Sequence, residues 1–464
     1  MATGTPSNRR AVRRHLNALA GDLAGSAGLH LTYAGKKAER DILATPPSRS
    51  RLLWRPAGEE GPAAGNRLFF GDNMGVLAQL LHDPAVKGHV GLVYIDPPFA
   101  TESNFHSRDL THAYSDTLAG SAYVEFIRER LILLRELIAI DGSIYVHLDD
   151  KMVFHVKVIM DEVFGPDKFR NCITRRKCSS KNYTRNTYGN TSDYILFYTK
   201  GDSYVWHRPM EKWTPERMAK EYPCIEEGTG RRYKKVPVHA PGTRRGQTGG
   251  PWRGMLPPPG KHWQYIPRTL DEMNERGEIY WSPTGNPRRK VYLDESDGVA
   301  VQDIWLDYRD SRNQNTGTTG YPTEKNRDML ARIIQASSNP GDLILDCFCG
   351  SGTTLETAAR LGRRWIGVDN SVEAIKATVR RLLLGAPPMG DYVAHMQDAS
   401  QMQDDPRTPG RLFDLPDESP VESAPQLLPQ PLPDHDPIIN FDLLIDDAMP
   451  ESTSLLDSLP TTPG

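Results

Sequence analysis

Two short stretches hold residue types that could do chemistry together. The first is Asp96-Pro97-Pro98-Phe99, which closes the apolar run Val90–Ile95. An amino group conjugated to a ring is a poor nucleophile, because its lone pair is delocalised. A carboxylate that accepts one of its N–H groups draws the nitrogen toward sp³ and frees that pair. A backbone carbonyl held still by two prolines can take the second N–H. An aromatic ring next in line can stack on a flat base. The second stretch is Asp346-Cys347-Phe348-Cys349-Gly350-Ser351-Gly352-Thr353. It reads as a strand end, a glycine turn and a helix start. Glycines let backbone approach a ligand closely, and a helix N-terminus favours an anion. Roughly 20 residues on, Arg364–Val368 ends in Asp369, the position from which an acid reaches ribose hydroxyls. This describes a site for an adenosine cofactor. It does not separate a nicotinamide dinucleotide from S-adenosylmethionine.

The elements that must position these residues alternate along the chain. Strand-like runs occur at 67–70, 90–95, 143–148, 193–198, 343–345 and 364–368. Helical patterns occur at 74–81, 123–140, 151–164, 323–338, 353–361 and 372–384. The alternation implies an α/β fold with a doubly wound, Rossmann-like sheet. Residues 200–320 lose the rhythm and are rich in Gly, Pro, Trp, Arg and Lys, so they are expected to form an inserted domain. Residues 1–65 read as a basic lead, with order expected to begin at Arg67. Residues 386–464 are expected to be a disordered Pro- and acid-rich tail. Within it, 441–445 and 455–456 are candidate docking motifs weighed against an inert tail.

Charge supports that division. The chain has 464 residues and a net charge of −3. Residues 401–464 carry 13 Asp/Glu against Arg407 and Arg411, a net of −11, which leaves +8 on the preceding 400 residues. Mean hydropathy is −0.54, and no apolar run nears membrane-spanning length. The basic N-terminus lacks the apolar core of a secretion signal. Five cysteines without a Cys-x-x-Cys pair argue against a disulfide framework or zinc ribbon. A cytoplasmic protein without a resident metal is expected.

The pair of motifs resembles the S-adenosylmethionine-dependent amino-methylating DNA methyltransferases, whose signatures are [Asp/Asn/Ser]-Pro-Pro-[Tyr/Phe/Trp] and Phe-x-Gly-x-Gly. Here the catalytic motif comes first, an irregular block follows, and the cofactor motif comes last. That order resembles the circularly permuted β class, with its target recognition domain in the insertion. The resemblance covers roughly residues 67–385. It extends to Gly71-Asp72-Asn73, to 123–147 and to Tyr321-Pro322-Thr323-Glu324-Lys325. Cys347 and Asn326 stand where the family commonly has proline.

The resemblance implies residue roles. Asp96, with Pro97 and Pro98, would polarise the target amine, and Phe99 would stack on a base flipped out of the duplex. Asp346 would bind the methionine amino group beside Phe348, Gly350 and Gly352. Thr353 would cap the helix near the carboxylate, and Lys325 would support the methionine end. Asp72 would lie near the cofactor, and Asp369 would hold its ribose. A leading Asp favours N6 of adenine over N4 of cytosine. A covalent cysteine route is not expected, and Cys347 and Cys349 read as small core residues.

Double-stranded DNA is the expected partner. Residues 228–270 contain Arg231, Arg232, Lys234, Lys235, Arg244, Arg245 and Arg253 and no acid. A second acid-free run holds Arg175, Arg176, Lys177, Lys181 and Arg185. Such groups neutralise phosphates, and Arg can also read guanine edges. The dense run 231–235 suits the backbone, while Arg244, Arg245 and Arg253 among glycines suit base reading. The tryptophans nearby are individually expected to fill a small core. A second copy of the chain and a separate restriction or phage-defence subunit are further candidate partners.

Overall fold

The computed structural model describes residues 29–56, 65–98, 120–178, 186–308, 324–385 and 436–449, with Leu455 and the backbone of two short strands at 104–106 and 112–115. They form two compact units, one from residues 208–301 and one from the described residues on either side.

The larger unit is a ten-stranded sheet. Its strands are β1 (Ser50–Trp54), β2 (Arg67–Phe70), β3 (Val90–Ile95), β4 (Ile138–Leu148), β5 (Phe169–Arg176), β6 (Ser192–Thr199), β7 (Ile304–Trp305), β8 (Leu343–Asp346), β9 (Arg364–Asp369) and β10 (Asp442–Asp446). Its helices are α1 (Glu39–Leu43), α2 (Asn73–Leu80), α3 (Ser121–Leu137), α4 (Val153–Phe164), α5 (Arg327–Ser337), α6 (Thr353–Arg360) and α7 (Val372–Leu384). The sheet order is β1-β10-β2-β9-β8-β3-β4-β6-β5-β7. Strands β10 through β4 in that order are mutually parallel. β1 is antiparallel to β10, and β6 is antiparallel to both β4 and β5.

β3 and β8 read as unbroken apolar runs because both of their faces are covered. The chain moves from β3 through α3 to β4 in one direction and from β8 through α6 to β9 in the other. Right-handed crossovers therefore put α3 and α6 on opposite faces. α2 and α4 pack on α3, while α5 and α7 pack on α6. Four neighbouring parallel strands end on the same edge: β2 before Asp72, β9 at Asp369, β8 at Asp346 and β3 before Asp96. The loops after β8 and β3 depart in opposite directions, which opens a crevice between them.

The smaller unit carries a four-stranded antiparallel sheet of Cys224–Ile225, Arg232–Pro237, Pro287–Tyr292 and Ile279–Trp281. Trp252 and Trp263 are buried in its core with Val238, Leu270, Met273 and Ile279, and Trp281 packs against them. The core reading of these tryptophans therefore holds.

Several expectations need correction. The insertion is shorter than 200–320, because residues 200–207 and 302–308 belong to the larger unit and β7 pairs with β5. The predicted helix at 123–140 ends at Leu137, where Ile138 already begins β4. Order begins well before Arg67: Ile42 is buried and β1 lies in the sheet. The tail is not wholly disordered. Residues 441–446 insert between β1 and β2, with Phe441, Leu443 and Ile445 buried. The Phe441 ring packs on Trp54 and Trp365 at 5.9 and 5.7 Å. Asp442 pairs with Arg55, and Asp446 accepts a hydrogen bond from Ser48 Oγ at 2.6 Å. The docking motif at 441–445 thus docks within its own chain. Residues 386–435 lie outside the described residues.

This strand should be measurable as stability. Leu443→Ala should cost about 2–5 kcal/mol in urea unfolding, and truncation after residue 435 should cost at least as much. Unchanged midpoints would contradict the insertion of β10.

Candidate active site

The strand ends bring the predicted carboxylates together. Asp346 is buried, and its Oδ1 accepts from Phe348 N at 3.0 Å. Burial pushes its carboxyl up to about 7 against hydrogen bonds from Thr354 and Phe348, and the charges of Asp96 and Asp369 push the same way. Asp369 is also driven up, to about 6, by burial, with the N–H groups of Ser371 and Gly350 opposing. Gly350 N and Ser371 N donate to its two oxygens, each at 2.9 Å. Asp369 therefore ties the glycine loop to β9 while it faces the same edge. Among the described residues, neither Asp346 nor Asp369 forms an ion pair.

The glycine loop is shaped as its sequence requires. Gly350 and Gly352 both have positive φ, +52° and +74°. A Cβ on Gly352 would meet Thr378 at 2.7 Å, so no side chain fits there. Gly352, not Thr353, is the N-cap of α6, and no side chain caps that helix. The capping role expected of Thr353 is thus corrected; it is the first helical residue, with its hydroxyl 3.2 Å from Ser351 Oγ. Thr378 and Arg381 of α7 hold the loop from below through Gly350 O and Ser351 O, at 2.8 and 2.7 Å. Arg381 also binds Glu356 and Glu324. Phe348 is half-buried against Phe126. Arg130 stacks on Phe126 and donates to Asn73, which donates to Cys347 O at 2.8 Å. Asp72 caps α2, with Oδ2 accepting from Gly75 N at 3.4 Å and most of its side chain exposed. Cys347 and Cys349 are buried, with thiols pushed up by desolvation, as expected of core residues.

Across the crevice, Asp96 Oδ2 lies 2.9 Å from Lys325 Nζ. Its Oδ1 is buried without a hydrogen-bond partner among the described residues. Pro97 is buried and Pro98 half-buried behind it; Phe99 lies outside the described residues. Lys325 thus meets the catalytic-motif carboxylate. Asn326, where proline is common in the family, caps α5 by accepting from Met329 N at 3.0 Å.

Sequence reasoning missed the array behind Asp96. Tyr94 Oη lies 2.8 Å from His147 Nδ1, and His147 Nε2 lies 3.0 Å from Asp193 Oδ2. Arg175 donates to the same Asp193 oxygen at 2.9 Å and to Tyr308 O at 2.6 Å. Burial opposes ionisation of Asp193, but His147 and Arg175 outweigh it and hold that carboxyl below the usual range. Arg175 is fully buried, so its assignment to DNA is corrected: it is spent inside the sheet. The alternation of β5, which turns Ile173 and Arg175 inward together, was the available signal.

The other basic positions divide. Arg176 donates to Leu306 O, Lys177 is half-buried, and Lys181 and Arg185 lie outside the described residues. In the smaller unit, Arg231 pairs with Asp294 and Glu295 at 2.8 Å, and Arg253 pairs with Asp271 at 2.8 Å. These acids come from beyond the acid-free run. Lys234 and Lys235 lie over the rings of Tyr222 and Tyr280, and Arg232 is exposed. Arg244 and Arg245 are exposed and make no side-chain ion pair among the described residues. No group of His, Cys, Asp and Glu among the described residues could hold a metal.

Two buried carboxylates with no ion pair among the described residues, beside an uncapped helix N-terminus, fit a ligand with a cationic amine and a carboxylate. The family model for N6/N4 DNA methylases matches residues 90–380. The chain belongs to this family. A type II methyltransferase of Enterobacter cloacae, M.EcaI, is 47% identical over 390 residues, covering 84% of each chain. The Mod subunit of the type III restriction-modification enzyme StyLTI of Salmonella typhimurium is 26% identical over 339 residues, 65% of this chain and 51% of that one. Among solved structures, the complex of M1.HpyAVI with S-adenosylmethionine aligns at 15% identity and a TM-score of 0.37, covering 68% of this chain and 99% of that one. The protein is a DNA methyltransferase of the N6/N4 class, and S-adenosylmethionine is its cofactor. The Pro-Cys pair that a covalent cytosine route would use occurs once, at Pro223-Cys224, in the smaller unit. No described helix is long and apolar enough to cross a membrane.

The raised carboxyl of Asp346 gives a pH signature. If Asp346 holds the cationic amine of the cofactor, its protonated form must ionise to do so, and binding should release a proton below about pH 7. Affinity should rise with pH up to about 7, by at most about tenfold per unit, and then level off. Calorimetry in buffers of differing ionisation heat reads the proton directly. Asp346→Asn should bind weakly and lose the pH dependence; a dependence that survives would contradict the assignment.

Proposed function

We propose that the protein transfers the methyl group of S-adenosylmethionine to N6 of adenine at a specific site in double-stranded DNA, with the target base flipped out of the duplex. The observation that carries this reading is the buried, unpartnered Oδ1 of Asp96 at the crevice edge, across from the cofactor loop. A buried acceptor without a donor is costly. An exocyclic N–H of the target base supplies the missing donor and has its lone pair freed in return. The proline-held backbone after Asp96 offers a fixed carbonyl for the second N–H, and Phe99 is assigned to stack on the extruded base.

When bound, the cofactor supplies an electrophilic methyl on a sulfonium. Asp346 is assigned to its amino group, the α6 N-terminus to its carboxylate, and Asp369 to its ribose. Phe348 and the backbone of Gly350 and Gly352 line the rest, with Asp72 nearby. Rate then comes from alignment and fixed charge. The leading Asp of the catalytic motif supports adenine over cytosine N4. Residues 208–301 are assigned to target recognition. The exposed, ion-pair-free Arg244 and Arg245 are its leading base readers, and Arg232, Lys234 and Lys235 its phosphate contacts. Arg231 and Arg253 rank below them, because acidic partners offset their charge. A dimer or a separate restriction subunit would complete the system.

Nucleoside mass spectrometry on DNA from an expressing host tests the base: N6-methyldeoxyadenosine is expected, and N4-methyldeoxycytidine alone would overturn the adenine reading. For recognition, Arg244→Ala and Arg245→Ala should relax site preference at a cost of about 1–3 kcal/mol at one position. Lys234→Ala should weaken binding evenly and lower the salt slope by about one unit. Methylome maps and salt titrations unchanged across these variants would remove residues 208–301 from DNA reading.

A further inference from the structure

The Asp96 carboxylate must present one oxygen to the target amine at a fixed angle, yet nothing in a Pro-Pro turn fixes the rotation of the side chain before it. Lys325 does so. Its ammonium sits 2.9 Å from Oδ2, and Oδ1 is left as the free acceptor. The neighbours of Lys325 pin it on both sides. Glu324 binds Arg381, which holds Ser351 O in the glycine loop and Glu356 in α6. Asn326 caps α5. Three consecutive residues therefore bind the cofactor loop, the catalytic carboxylate and a helix start. All of these side chains are buried or nearly so, with 11% of Lys325 and 18% of Asp96 exposed.

The charges around the pair point the same way. Asp346 lies across from Asp96 and feels its charge, as does the Tyr94 hydroxyl on β3. The methionine-end role expected of Lys325 is distinct from this contact, in which its ammonium meets Asp96 Oδ2.

We infer that Lys325 is a positioning residue for methyl transfer, acting through Asp96 rather than through the cofactor: it holds Oδ2 so that Oδ1 faces the target amine, and the Glu324–Arg381 pair holds Lys325 in register with the glycine loop. This inference rests on the reading of Asp96 as the acceptor for the target amine.

The test is single-turnover methylation of a duplex substrate, with separate equilibrium binding of S-adenosylmethionine and DNA, on the full chain. Lys325→Met should slow transfer at saturating cofactor on the order of 10- to 100-fold, the scale of a misplaced reacting group. Both dissociation constants should stay within about twofold of the parent value, near the error of the assay. Lys325→Arg should recover part of the rate. In an Asp96→Asn background, Lys325→Met should slow transfer little further, because its partner is already lost. If Lys325→Met fails to fold by circular dichroism, Lys325→Gln carries the same comparison. A weakened cofactor affinity with full rate at saturation would overturn the inference and return Lys325 to the methionine end. An unchanged rate, or a full further loss in the Asp96→Asn background, would also overturn it. The underlying reading fails separately, if Asp96→Ala itself still transfers methyl groups.

Discussion

Buried negative charge at one sheet edge is the constraint on which the site depends. Asp346 and Asp369 end adjacent strands, and burial raises both carboxyls well above the ordinary range. Holding them ionised there is costly to the empty protein, because burial disfavours the charged form. The fold tolerates this because backbone N–H groups reach both side chains and because the surrounding sheet is large. A ligand that brings a cation to that edge gains the interaction the protein itself lacks.

The rest of the larger unit serves that edge. The two directions of winding separate the loops after β3 and β8, which carry Asp96 and the glycine loop. Arg381 ties the glycine loop to α6 and to Glu324. Behind Asp96, the Tyr94–His147–Asp193–Arg175 array fills a polar interior with matched charge and fixes β3 against β4, β6 and β5. At the far side, β10 covers β2, so the strand leading to Asp72 is an interior strand of the sheet.

The site was legible in the sequence wherever chemistry and local structure coincide. A strand end, two glycines and an acid about 20 residues later leave few arrangements open, and the carboxylate before two prolines stands at the end of its strand on the same edge. What was not legible depends on partners distant along the chain. Residues 441–446 sit amid prolines and acids, and their strand neighbours lie nearly 400 residues earlier, so composition alone pointed to disorder. Arg175 belonged to a basic run and was grouped with it, although strand periodicity turns it inward. Arg231 and Arg253 looked unopposed because Asp271 falls just outside the acid-free window and Asp294 and Glu295 lie well beyond it. Lys325 carried a family expectation that locates it near the cofactor; only the folded geometry shows its contact with Asp96.

Under the proposed reading, neighbouring carboxylates divide the labour, Asp346 binding the cofactor and Asp96 acting on the target amine. The most direct measurement is a crossed comparison of Asp346→Asn and Asp96→Asn, each assayed for cofactor affinity and for single-turnover methyl transfer at saturating cofactor. Asp346→Asn should weaken binding by about 1.5–3 kcal/mol, the scale of a lost hydrogen bond to a charged group. Asp96→Asn should bind cofactor as the parent does and transfer methyl groups at a small fraction of its rate. Equal losses of affinity in both variants, or undiminished transfer in Asp96→Asn, would contradict the division.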